Sequence, residues 1–325
     1  MGRPVVILCV TPSPAIDRSG RVDRFVPDRV LRPSSLVVLA GGKGVNVART
    51  AHALGALVVT TGFAGGHAGR WLVESLAAEG LNPRFVETGP ETRTTYVLAD
   101  DRGRTLLVYE PAPALAAADR RRLVELLASE LVPAADLVAI AGSLPDGLGR
   151  SAAAELVRHC ELAGRPCLVD LSGPDLRSAL EARPSVVKIS LEEAIGGRFA
   201  ARGPSAASDA VQALVAGGAG RAIVTDGPRG AVGHDGERIW EVTVPRVEAV
   251  SPVGSGDAFS AGVAIGLAAG RPFQEALAMG AAAGTANTRT LGAGRIRVED
   301  YEAALAAVRV RDRHPSPTGG RRGPA

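Results

Sequence analysis

A chain of 325 residues, of which 46% are apolar, provides enough material for one large α/β domain or two ordinary ones. Its 37 basic and 34 acidic residues give a formal charge of +3, but the basic residues are scattered, without the clustered stripe and stacking aromatics that nucleic-acid binding requires. No run reaches the roughly 18 apolar residues of a membrane helix, and residues 5–10 are interpreted as a first buried strand rather than as a signal peptide. We therefore expect a cytoplasmic protein that binds neither nucleic acid nor membrane.

Apolar runs bounded by turn residues alternate along the chain with segments of helical periodicity. The predicted core strands cover residues 5–10, 58–63, 137–141, 167–171, 186–189 and 222–225. The predicted helices cover residues 45–54, 70–78, 119–131, 150–163, 207–216, 258–269, 273–285 and 299–308. This alternation predicts an α/β fold in which helices cover both faces of a mainly parallel sheet, a three-layer α/β/α sandwich.

Two segments, residues 16–38 and 94–109, interrupt this alternation with short strand-like patterns and turns but no helix. Both lie where a doubly wound sheet would carry insertions, so together they predict a small antiparallel β lid. Residues 1–310 are expected to form this single lidded domain. Residues 311–325 are polar and rich in Pro and Gly, which predicts a disordered tail.

A glycine cluster at residues 41–44 leads into the helix predicted at 45–54. Glycine allows a ligand to approach the backbone closely, and a helix start offers unpaired N–H donors. Lys43, one of only two lysines among the 37 basic residues, adds a compact positive charge, and Asn46 adds an amide that both donates and accepts. Because Gly44 follows Lys43 where Ser or Thr would bind magnesium, the segment is not a Walker A loop. It predicts a ligand contact, and the alternative is an ordinary Gly-rich turn with a surface lysine.

A second cluster, Gly254-Ser255-Gly256, immediately precedes Asp257 and the helix predicted at 258–269. The backbone N–H groups of such a turn point to one position and suit the negative charge that develops on a transferring phosphoryl group. An acid on the first turn of a helix is usually a cap. Directly after this nest of N–H groups, however, Asp257 is placed to accept a proton from a hydroxyl that attacks the phosphoryl group.

Four motifs follow one another along the chain, namely GGKGVN at 41–46, AGSLP at 141–145, TDGPRG at 225–230 and GSGD at 254–257. In combination they resemble the ribokinase-like PfkB family of carbohydrate kinases, specifically its branch of 1-phosphofructokinases and tagatose-6-phosphate kinases. The similarity extends from residues 11–17 to residues 300–301, which is nearly the whole chain. The resemblance implies the ribokinase-like form of the three-layer sandwich and a kinase that uses ATP and Mg²⁺.

The resemblance also implies a substrate site formed by Asp17, Gly41, Gly42, Lys43, Asn46, Arg93 and Ser143. In that comparison Asp17 and Asn46, with the Gly41–Gly42 backbone, match contacts to sugar hydroxyls, and Ser143 matches another contact to the phosphosugar. Lys43 and Arg93 match positions that bind the phosphate already present on the substrate. A guanidinium fork and an ammonium together suit a dianion, and kinases of unphosphorylated sugars would not need both, which favours a phosphohexose.

On the nucleotide side, the resemblance implies ATP contacts from Lys188, Thr225, Gly227, Gly230 and, on a helix that covers the adenine, Asn287. The backbone turn at 225–230 follows a predicted buried strand, at the carboxyl edge of the sheet where such folds bind ligands. Family members also often use a monovalent cation such as K⁺, which is expected here near Ser251 and Val253.

One position departs from the family pattern. Where the family has Lys-Pro-Asn-x-x-Glu, residues 188–193 have the sequence KISLEE, so that Glu193 holds the acidic position and Ser190 replaces the amide. Glu193 is expected to organise hydrated Mg²⁺, and the Ser190 hydroxyl still accepts a hydrogen bond from a metal-bound water. The shorter reach of Ser190 predicts weaker organisation of the metal or the triphosphate.

Together these residues predict transfer of the ATP γ-phosphoryl group to a hydroxyl of a ketohexose phosphate, with Asp257 as the general base. The sequence leaves open fructose 1-phosphate, tagatose 6-phosphate and fructose 6-phosphate as substrates. It also leaves two alternatives, a phosphosugar-binding regulator that has lost activity through Ser190 and a kinase of an unphosphorylated sugar or nucleoside. The exposed strand edges expected in the lid predict a homodimer.

Overall fold

The structure, a computed structural model, describes residues 3–145 and 147–313. Within these residues the strands are β1 (Val6–Thr11), β2 (Ala15–Val22), β3 (Ser35–Gly41), β4 (Leu57–Gly65), β5 (Asn82–Pro83), β6 (Val86–Thr88), β7 (Thr94–Asp100), β8 (Thr105–Tyr109), β9 (Leu137–Ala141), β10 (Cys167–Asp170), β11 (Val186–Ser190), β12 (Ala222–Thr225), β13 (Ala231–His234), β14 (Ile239–Thr243) and β15 (Arg309–Asp312). The helices are α1 (Lys43–Ala53), α2 (Gly66–Ala78), α3 (Ala117–Leu126), α4 (Val132–Ala134), α5 (Ala152–Leu162), α6 (Gly173–Glu181), α7 (Leu191–Gly196), α8 (Ala206–Ala216), α9 (Ser255–Ala268), α10 (Phe273–Asn287) and α11 (Val298–Ala307).

The main sheet has the strand order β15-β14-β13-β12-β11-β10-β9-β1-β4-β5, and β6 also pairs with β4. Strands β12 to β5 in this order are mutually parallel, whereas β13, β14 and β15 continue the sheet as antiparallel strands. The parallel strands are nearly continuous apolar runs, and β9 is buried along its whole length. Such runs are expected of strands that have helices on both faces.

Alternate residues of the parallel strands contribute to two separate hydrophobic cores. Ile7 and Cys9 of β1 belong to one core and Leu8 and Val10 to the other, as the two-residue period of a strand requires. The first core is completed by helices α1, α2, α9, α10 and α11, and the second by α3 to α8. This arrangement confirms the predicted three-layer α/β/α sandwich.

The lid is a separate four-stranded sheet with the order β3-β2-β7-β8. Strands β2 and β3 are antiparallel, as are β7 and β8, but β2 and β7 run parallel. The lid segments were predicted in the right places, but an entirely antiparallel lid is wrong. The two hairpins come from distant parts of the chain and meet side by side, so nothing within either hairpin sets their relative direction.

Some element boundaries also differ from those predicted. The first helix begins at Lys43, two residues before the predicted start, and the helix predicted at 119–131 is α-helical only to Leu126 and continues as a π-helical turn, Leu127–Leu131. Arg311 and Asp312 belong to β15, which pairs with β14, so a disordered tail beginning at residue 311 is wrong for these residues. Residues 314–325 of that predicted tail lie outside the described residues. In the part of the chain that is described, none of the helices has the length and apolar character of a membrane span.

Candidate functional site

Two cavities adjoin at the carboxyl ends of the parallel strands, where α/β sheets commonly bind ligands. The larger has a volume of about 820 Å³ and the smaller about 430 Å³. Three side chains, those of Lys43, Glu193 and Asp257, line both cavities. These side chains therefore mark the position at which two ligands, one in each cavity, would meet.

The smaller cavity lies between the lid and α1. Of the residues expected to bind the sugar phosphate, those lining it are Asp17, Gly42, Lys43, Asn46, Arg93 and Ser143. Gly41 does not line it but packs against Asp17, and a Cβ at this position would lie 2.0 Å from Asp17 Oδ2. Gly41 is thus required for the carboxylate of Asp17 to occupy its place. The lid adds a side chain that the sequence did not indicate, Tyr109.

Asp17 lies on β2, opposite Thr95 of β7 in the register of the lid sheet. Asp17 Oδ1 accepts a hydrogen bond of 2.6 Å from Thr95 Oγ1. Burial raises the pKa of this carboxyl, while the Thr95 hydroxyl, the Arg49 charge and the Gly42 backbone oppose that change. The parallel pairing of the two hairpins is therefore what fixes the side-chain environment of Asp17.

Asp257 lies on the first turn of α9, immediately after the glycine-containing nest. Gly254 is the N-cap residue and has a left-handed backbone conformation with φ of 86°, and a Cβ there would lie 2.6 Å from Ala293 Cα. Gly256 is also restricted, because a Cβ would lie 2.8 Å from Lys188 Nζ. Gly254 is therefore needed for the tight backbone that precedes Asp257, whereas a side chain at Gly256 would have to displace the Lys188 ammonium.

The carboxylate of Asp257 faces the junction of the two cavities. Asp257 Oδ2 accepts a hydrogen bond of 2.8 Å from Asn46 Nδ2. Burial and the nearby charge of Asp170 raise the pKa of Asp257 from 3.8 to about 6, against the opposing effects of Lys43, Lys188 and Asn46. A carboxylate with this pKa is ionised at neutral pH and is a stronger base than an ordinary aspartate. Asn46, expected to contact a sugar hydroxyl, thus also contacts the candidate base.

Asp170, at the end of β10, was not identified in the sequence although it is central to the site. It is completely buried, and its Oδ1 accepts from Lys43 Nζ at 2.9 Å while its Oδ2 accepts from Lys188 Nζ at 2.8 Å and from Ser260 Oγ at 3.1 Å. Although burial opposes ionisation, the charges of Lys188 and Lys43 hold the pKa of Asp170 well below its usual range. Asp170 therefore joins the only two lysines of the chain.

Glu193 and Ser190 form a capping box at the start of α7. Ser190 Oγ accepts from the Glu193 backbone N–H at 3.2 Å, and Glu193 Oε2 accepts from both the Ser190 N–H and its hydroxyl at 2.8 Å. Glu193 Oε1 accepts from Lys43 Nζ at 3.0 Å. Despite partial burial, the Lys43 charge lowers the pKa of Glu193. The Ser190 hydroxyl is therefore engaged in a helix cap.

These contacts test whether the site suits a divalent cation. Among the described residues no group of three or more His, Cys, Asp or Glu side chains is arranged to hold a metal. One oxygen of Asp170 and one of Glu193 nevertheless converge on a single cationic atom, Lys43 Nζ. Mg²⁺ at a nucleotide is typically held by one or two carboxylates, by phosphate oxygens and by water. This donor set fits such an ion.

The larger cavity contains four of the five predicted nucleotide contacts, Lys188, Thr225, Gly227 and Gly230. Its walls also include apolar side chains such as Val244, Val247 and Phe259 and the helix residues Gly284 and Thr285 of α10. Helix α10 therefore lines this cavity as expected. A cavity with apolar walls and charged groups at one end suits an aromatic base joined to phosphates.

Asn287, the fifth predicted contact, does not line either cavity, and this assignment is corrected. It is completely buried, its Nδ2 donates to the Val253 carbonyl at 2.8 Å, and its Oδ1 accepts from the Gly294 N–H at 2.9 Å. Its amide thus joins the backbone before the nest to the loop at 292–294. The Val250 and Ser251 N–H groups both donate to the Thr288 carbonyl, so α10 holds the whole segment in which a monovalent cation was predicted, and that cation remains a prediction.

The fold is that of the ribokinase-like class of α/β proteins, and the two adjoining cavities suit an enzyme that brings two ligands together. Residues 8–299 match the pfkB family of carbohydrate kinases, and the chain belongs to this family. It is therefore a carbohydrate kinase, a phosphotransferase with an alcohol group as acceptor.

Solved structures similar to this chain include the phosphofructokinase-2 of Escherichia coli in complex with potassium, at 30% identity and a TM-score of 0.85 over 94% of this chain and 98% of that one. The same enzyme in complex with fructose-6-phosphate gives a TM-score of 0.83 at 30% identity, with coverages of 94% and 98%. A Thermotoga maritima protein described as a possible 1-phosphofructokinase is 24% identical, with a TM-score of 0.80 over 94% of this chain and 99% of that one, and supports the fold.

Proposed function

We propose that the protein transfers the γ-phosphoryl group of ATP to a primary hydroxyl of a ketohexose phosphate, giving a hexose bisphosphate and ADP. The observation that carries this proposal is the position of Asp257, whose carboxylate borders both cavities and has a pKa raised to about 6. A base at the junction can contact the acceptor hydroxyl in the smaller cavity and the phosphoryl donor in the larger one.

In the proposed reaction the acceptor hydroxyl donates a hydrogen bond to Asp257. The hydroxyl oxygen attacks the γ-phosphorus, its bond to hydrogen breaks, and the proton passes to Asp257 as the bond from phosphorus to the ADP oxygen breaks. The backbone N–H groups of Gly254 and Gly256 would stabilise the charge on the transferring group. The Ser255 N–H donates to the Pro252 carbonyl at 3.2 Å and would join them if that bond is released. Asn46 keeps Asp257 oriented through its donated hydrogen bond.

Recognition of the substrate's own phosphate is assigned mainly to Arg93. Its side chain lines the smaller cavity, and its Nη2 is held by the Ser13 carbonyl at 3.1 Å. A fixed guanidinium can bind two phosphate oxygens at once. Lys43 was expected to share this role, but its ammonium contacts Asp170 and Glu193 at the junction. From there Lys43 is better placed to act on the phosphoryl group being transferred.

Glu193 and Asp170 would hold Mg²⁺ together with the phosphates of ATP, with Ser190 contributing through water if its hydroxyl turns from the helix cap. A bound Mg²⁺ neutralises charge on the triphosphate and so makes it a better phosphoryl donor. Lys188 is bonded to Asp170 and lines the nucleotide cavity, where it would face the phosphates. A monovalent cation such as K⁺ near Ser251 and Val253 is supported by the potassium complex of the Escherichia coli relative.

The sugar class is supported by the same relative, which has been crystallised with fructose-6-phosphate. Fructose 6-phosphate, fructose 1-phosphate and tagatose 6-phosphate all present a primary hydroxyl at the end opposite their phosphate. We also propose that the active form is a homodimer joined through the lid, because β8 is an edge strand whose five residues are all exposed.

The decisive experiment measures ADP release with ATP, Mg²⁺ and a panel of three ketohexose phosphates, their unphosphorylated sugars, ribose and adenosine. The proposal expects turnover with at least one sugar phosphate and a kcat/KM about 10- to 100-fold lower for its unphosphorylated sugar, since a charge-assisted phosphate contact contributes about 1.5–3 kcal/mol. Preference for an unphosphorylated sugar or a nucleoside would overturn it. Binding of sugar phosphates without turnover, measured by calorimetry, would instead support a regulator.

A further inference from the structure

Arg49 lies on α1, one turn beyond Asn46, and is only 8% exposed. Its Nε and Nη2 donate to the two carboxylate oxygens of Glu79, at 2.5 and 3.0 Å. Its Nη1 donates to Asn46 Oδ1 and to the Ala293 carbonyl, both at 3.2 Å, and its Nη2 also donates to the Ala40 carbonyl at 2.5 Å. These five hydrogen bonds use all five N–H donors of a guanidinium. The site cavities do not include Arg49.

The contact with Asn46 determines which way its amide points. The amide oxygen faces a permanent donor, Arg49 Nη1, so the amide nitrogen is left to donate to Asp257 Oδ2. If the amide were reversed, its NH₂ group would face the guanidinium and its oxygen would face a carboxylate, which is unfavourable at both ends. Arg49 therefore acts on Asp257 through one intervening side chain.

The two carbonyls that Arg49 holds belong to segments that shape the site. Ala40 directly precedes Gly41 and Gly42 at the sugar cavity, and Ala293 lies against the nest residue Gly254, where a Cβ would come within 2.6 Å of Ala293 Cα. The Arg49 guanidinium thus connects Ala40, which precedes the glycines of the sugar cavity, with the Asn46 amide beside Asp257 and with Ala293, which packs against Gly254. These three parts must keep their relative positions for the acceptor hydroxyl, the base and the phosphoryl group to align.

We propose that Arg49 is a positioning residue for phosphoryl transfer: by fixing the Asn46 amide and the two flanking backbone segments, it holds Asp257 in the orientation that accepts the substrate proton. This inference rests on the proposed function, in which Asp257 is the base. The simpler role is that of a buried partner for Glu79. That role uses only two of the five hydrogen bonds, those to the two carboxylate oxygens of Glu79. A lysine would keep the charge opposite Glu79 but would lose the fork that also reaches Asn46, Ala40 and Ala293.

The two roles are separated by a double-mutant cycle between Arg49 and Asn46. Arg49→Met, Arg49→Lys and Asn46→Ala are made singly, and each Arg49 change is repeated in the Asn46→Ala background. If Arg49 acts chiefly through Asn46, Arg49→Met lowers kcat by about 10- to 100-fold in the native background. In the Asn46→Ala background the loss should be at least about threefold smaller, because, apart from the ion pair with Glu79, only the contacts with the Ala40 and Ala293 carbonyls are then removed. Arg49→Lys should behave like Arg49→Met. Equal losses in both backgrounds, or a Lys variant with kcat within about threefold of wild type, would refute the proposal.

The pH dependence of kcat provides a second test, because loss of a purely structural residue would not change it. The groups that face Asp257 are Lys43 and Asn46 from α1, Asp170 from β10, Lys188 from β11, Glu193 from α7 and Tyr109 from the lid. Of these, Arg49→Met alters only Asn46. Because the Asn46 hydrogen bond lowers the pKa of Asp257, its loss should move the acidic limb of kcat to higher pH. The limb should not move when Arg49→Met is made in the Asn46→Ala background.

Thr50 provides a matched control. It is the next residue on α1, it is completely buried, and its Oγ1 donates to the Gly294 carbonyl at 2.9 Å, so its side chain supports the same loop without a hydrogen bond to the Asn46 amide. Thr50→Val should show additive losses with Asn46→Ala, and coupling as strong as that of Arg49 would count against a specific role for the guanidinium. If Arg49→Met does not fold because Glu79 is left unpaired, the double variant Arg49→Met/Glu79→Gln removes both charges and serves in the same cycle.

Failure of the proposed function remains distinguishable from failure of this inference. If wild type turns over no sugar phosphate, the proposed function fails, and Arg49 is tested on the titration of Asp257 itself. The carboxyl signals of ¹³C-labelled aspartate are followed by NMR, and Asp257→Asn identifies the relevant signal. Arg49→Met should raise the pKa of Asp257, and an unchanged pKa would overturn the inference whatever the substrate.

Discussion

Asp257 is buried beside a second carboxylate, that of Asp170, and Asn46 donates a hydrogen bond to it. The pKa of Asp257 is raised from 3.8 to about 6, so the folded protein binds this proton more tightly than the unfolded chain does. Ionised Asp257 therefore lowers the free energy of unfolding above about pH 6, and this effect disappears below about pH 4. The group proposed as the base thus destabilises the protein at the pH where it is reactive.

Asp257→Asn tests both consequences. We expect turnover to fall by about 10²- to 10⁴-fold, the usual contribution of a positioned general base, while the affinities for ATP and phosphosugar stay within a few-fold. At pH 7 the variant should gain about 1–3 kcal/mol in free energy of unfolding, and the gain should vanish near pH 4. Steady-state kinetics and denaturant unfolding at both pH values check this. A variant with kcat within about tenfold of wild type would show that Asp257 is not the general base.

The same pKa predicts the pH dependence of the wild-type enzyme. Because proton transfer requires the ionised carboxylate, log kcat should fall with unit slope below about pH 6 as Asp257 is protonated. An ordinary aspartate would keep its activity down to about pH 4. A rate measured with saturating substrates between pH 4.5 and 8 distinguishes these outcomes, and a flat profile down to pH 5 would exclude Asp257 as the titrating base.

Lys43 and Arg93 are expected to differ in their effects although both line the smaller cavity. Arg93→Ala should raise KM for the phosphosugar by about 10- to 100-fold with little change for ATP, because it removes a charge-assisted phosphate contact. Lys43→Met should instead lower kcat, because the ammonium lies at the junction with Asp170 and Glu193. The unphosphorylated sugar is the control and should be indifferent to Arg93→Ala. An equal loss on both sugars would mean that Arg93 does not contact the phosphate.

At the scale of single elements, one residue at the start of α7, Ser190, contributes both to the stability of the helix and to the geometry of the site. Ser190 is the last residue of β11 and the N-cap of α7, and its hydroxyl both accepts from and donates to Glu193. Loss of a serine N-cap typically reduces stability by about 1 kcal/mol. The capping box also holds Glu193 beside Lys43, so the helix start contributes directly to the geometry of the junction.

Two changes at Ser190 separate these roles. Ser190→Ala should lower the free energy of unfolding by about 1 kcal/mol through loss of the cap. Ser190→Asn should keep the cap, since asparagine is an equally good N-cap residue, and should lower the Mg²⁺ needed for half-maximal rate or raise kcat by no more than about tenfold. Magnesium titrations of both variants check this. If Ser190→Asn is indistinguishable from wild type, Ser190 does not limit metal organisation, and if it restores an inactive wild type, Ser190 has disabled catalysis.

The elements were predictable from the sequence where an apolar period was long and bounded by turns. Strand β9 and strand β12 were predicted with their observed bounds, and every predicted helix exists. Helices α6 and α7 were missed because they are short and contain few apolar positions, and β13 and β14 because they are antiparallel additions at the sheet edge that carry no helix between them. The parallel pairing of β2 with β7 depends on contacts between segments 78 residues apart in the chain.

Of the site, the sequence indicated the residues that belong to recognisable glycine motifs. Asp170 was not predicted as a site residue because in the sequence it is simply the end of an ordinary buried strand. Its importance arises only when Lys43 and Lys188 converge on it from two other elements. A buried acid at the carboxyl end of a core strand was the available signal. Asn287 was misassigned for the opposite reason, since its helix lines the nucleotide cavity while its own side chain points into the interior.

At the scale of the whole molecule, the lid connects the sugar site to the outer surface. Strand β8 is the edge of the lid sheet, and Leu106, Leu107, Val108 and Tyr109 on it are all between 41% and 58% exposed. Tyr109 also lines the sugar cavity. An apolar edge strand that ends in a site residue is a natural pairing surface for a second subunit, and pairing there would cover the cavity as well as the edge.

Leu107→Glu tests whether two copies pair through this edge. It lies in the middle of β8 and is 54% exposed, so a charge there should not disturb the folded monomer but should oppose burial in an interface. The matched control is Leu162→Glu on α5, where Leu162 is 85% exposed and distant in sequence from the lid. Light scattering coupled to gel filtration should show a dimer for wild type and for Leu162→Glu, and a monomer for Leu107→Glu.

The kinetics of the Leu107→Glu monomer provide a second measurement. Because a partner subunit would no longer cover Tyr109 and the sugar cavity, the monomer should have a KM for the phosphosugar raised by several-fold or more, with KM for ATP nearly unchanged. A wild-type protein that is monomeric at assay concentration, or a Leu107→Glu variant that remains dimeric, would place the subunit contact elsewhere or remove it altogether.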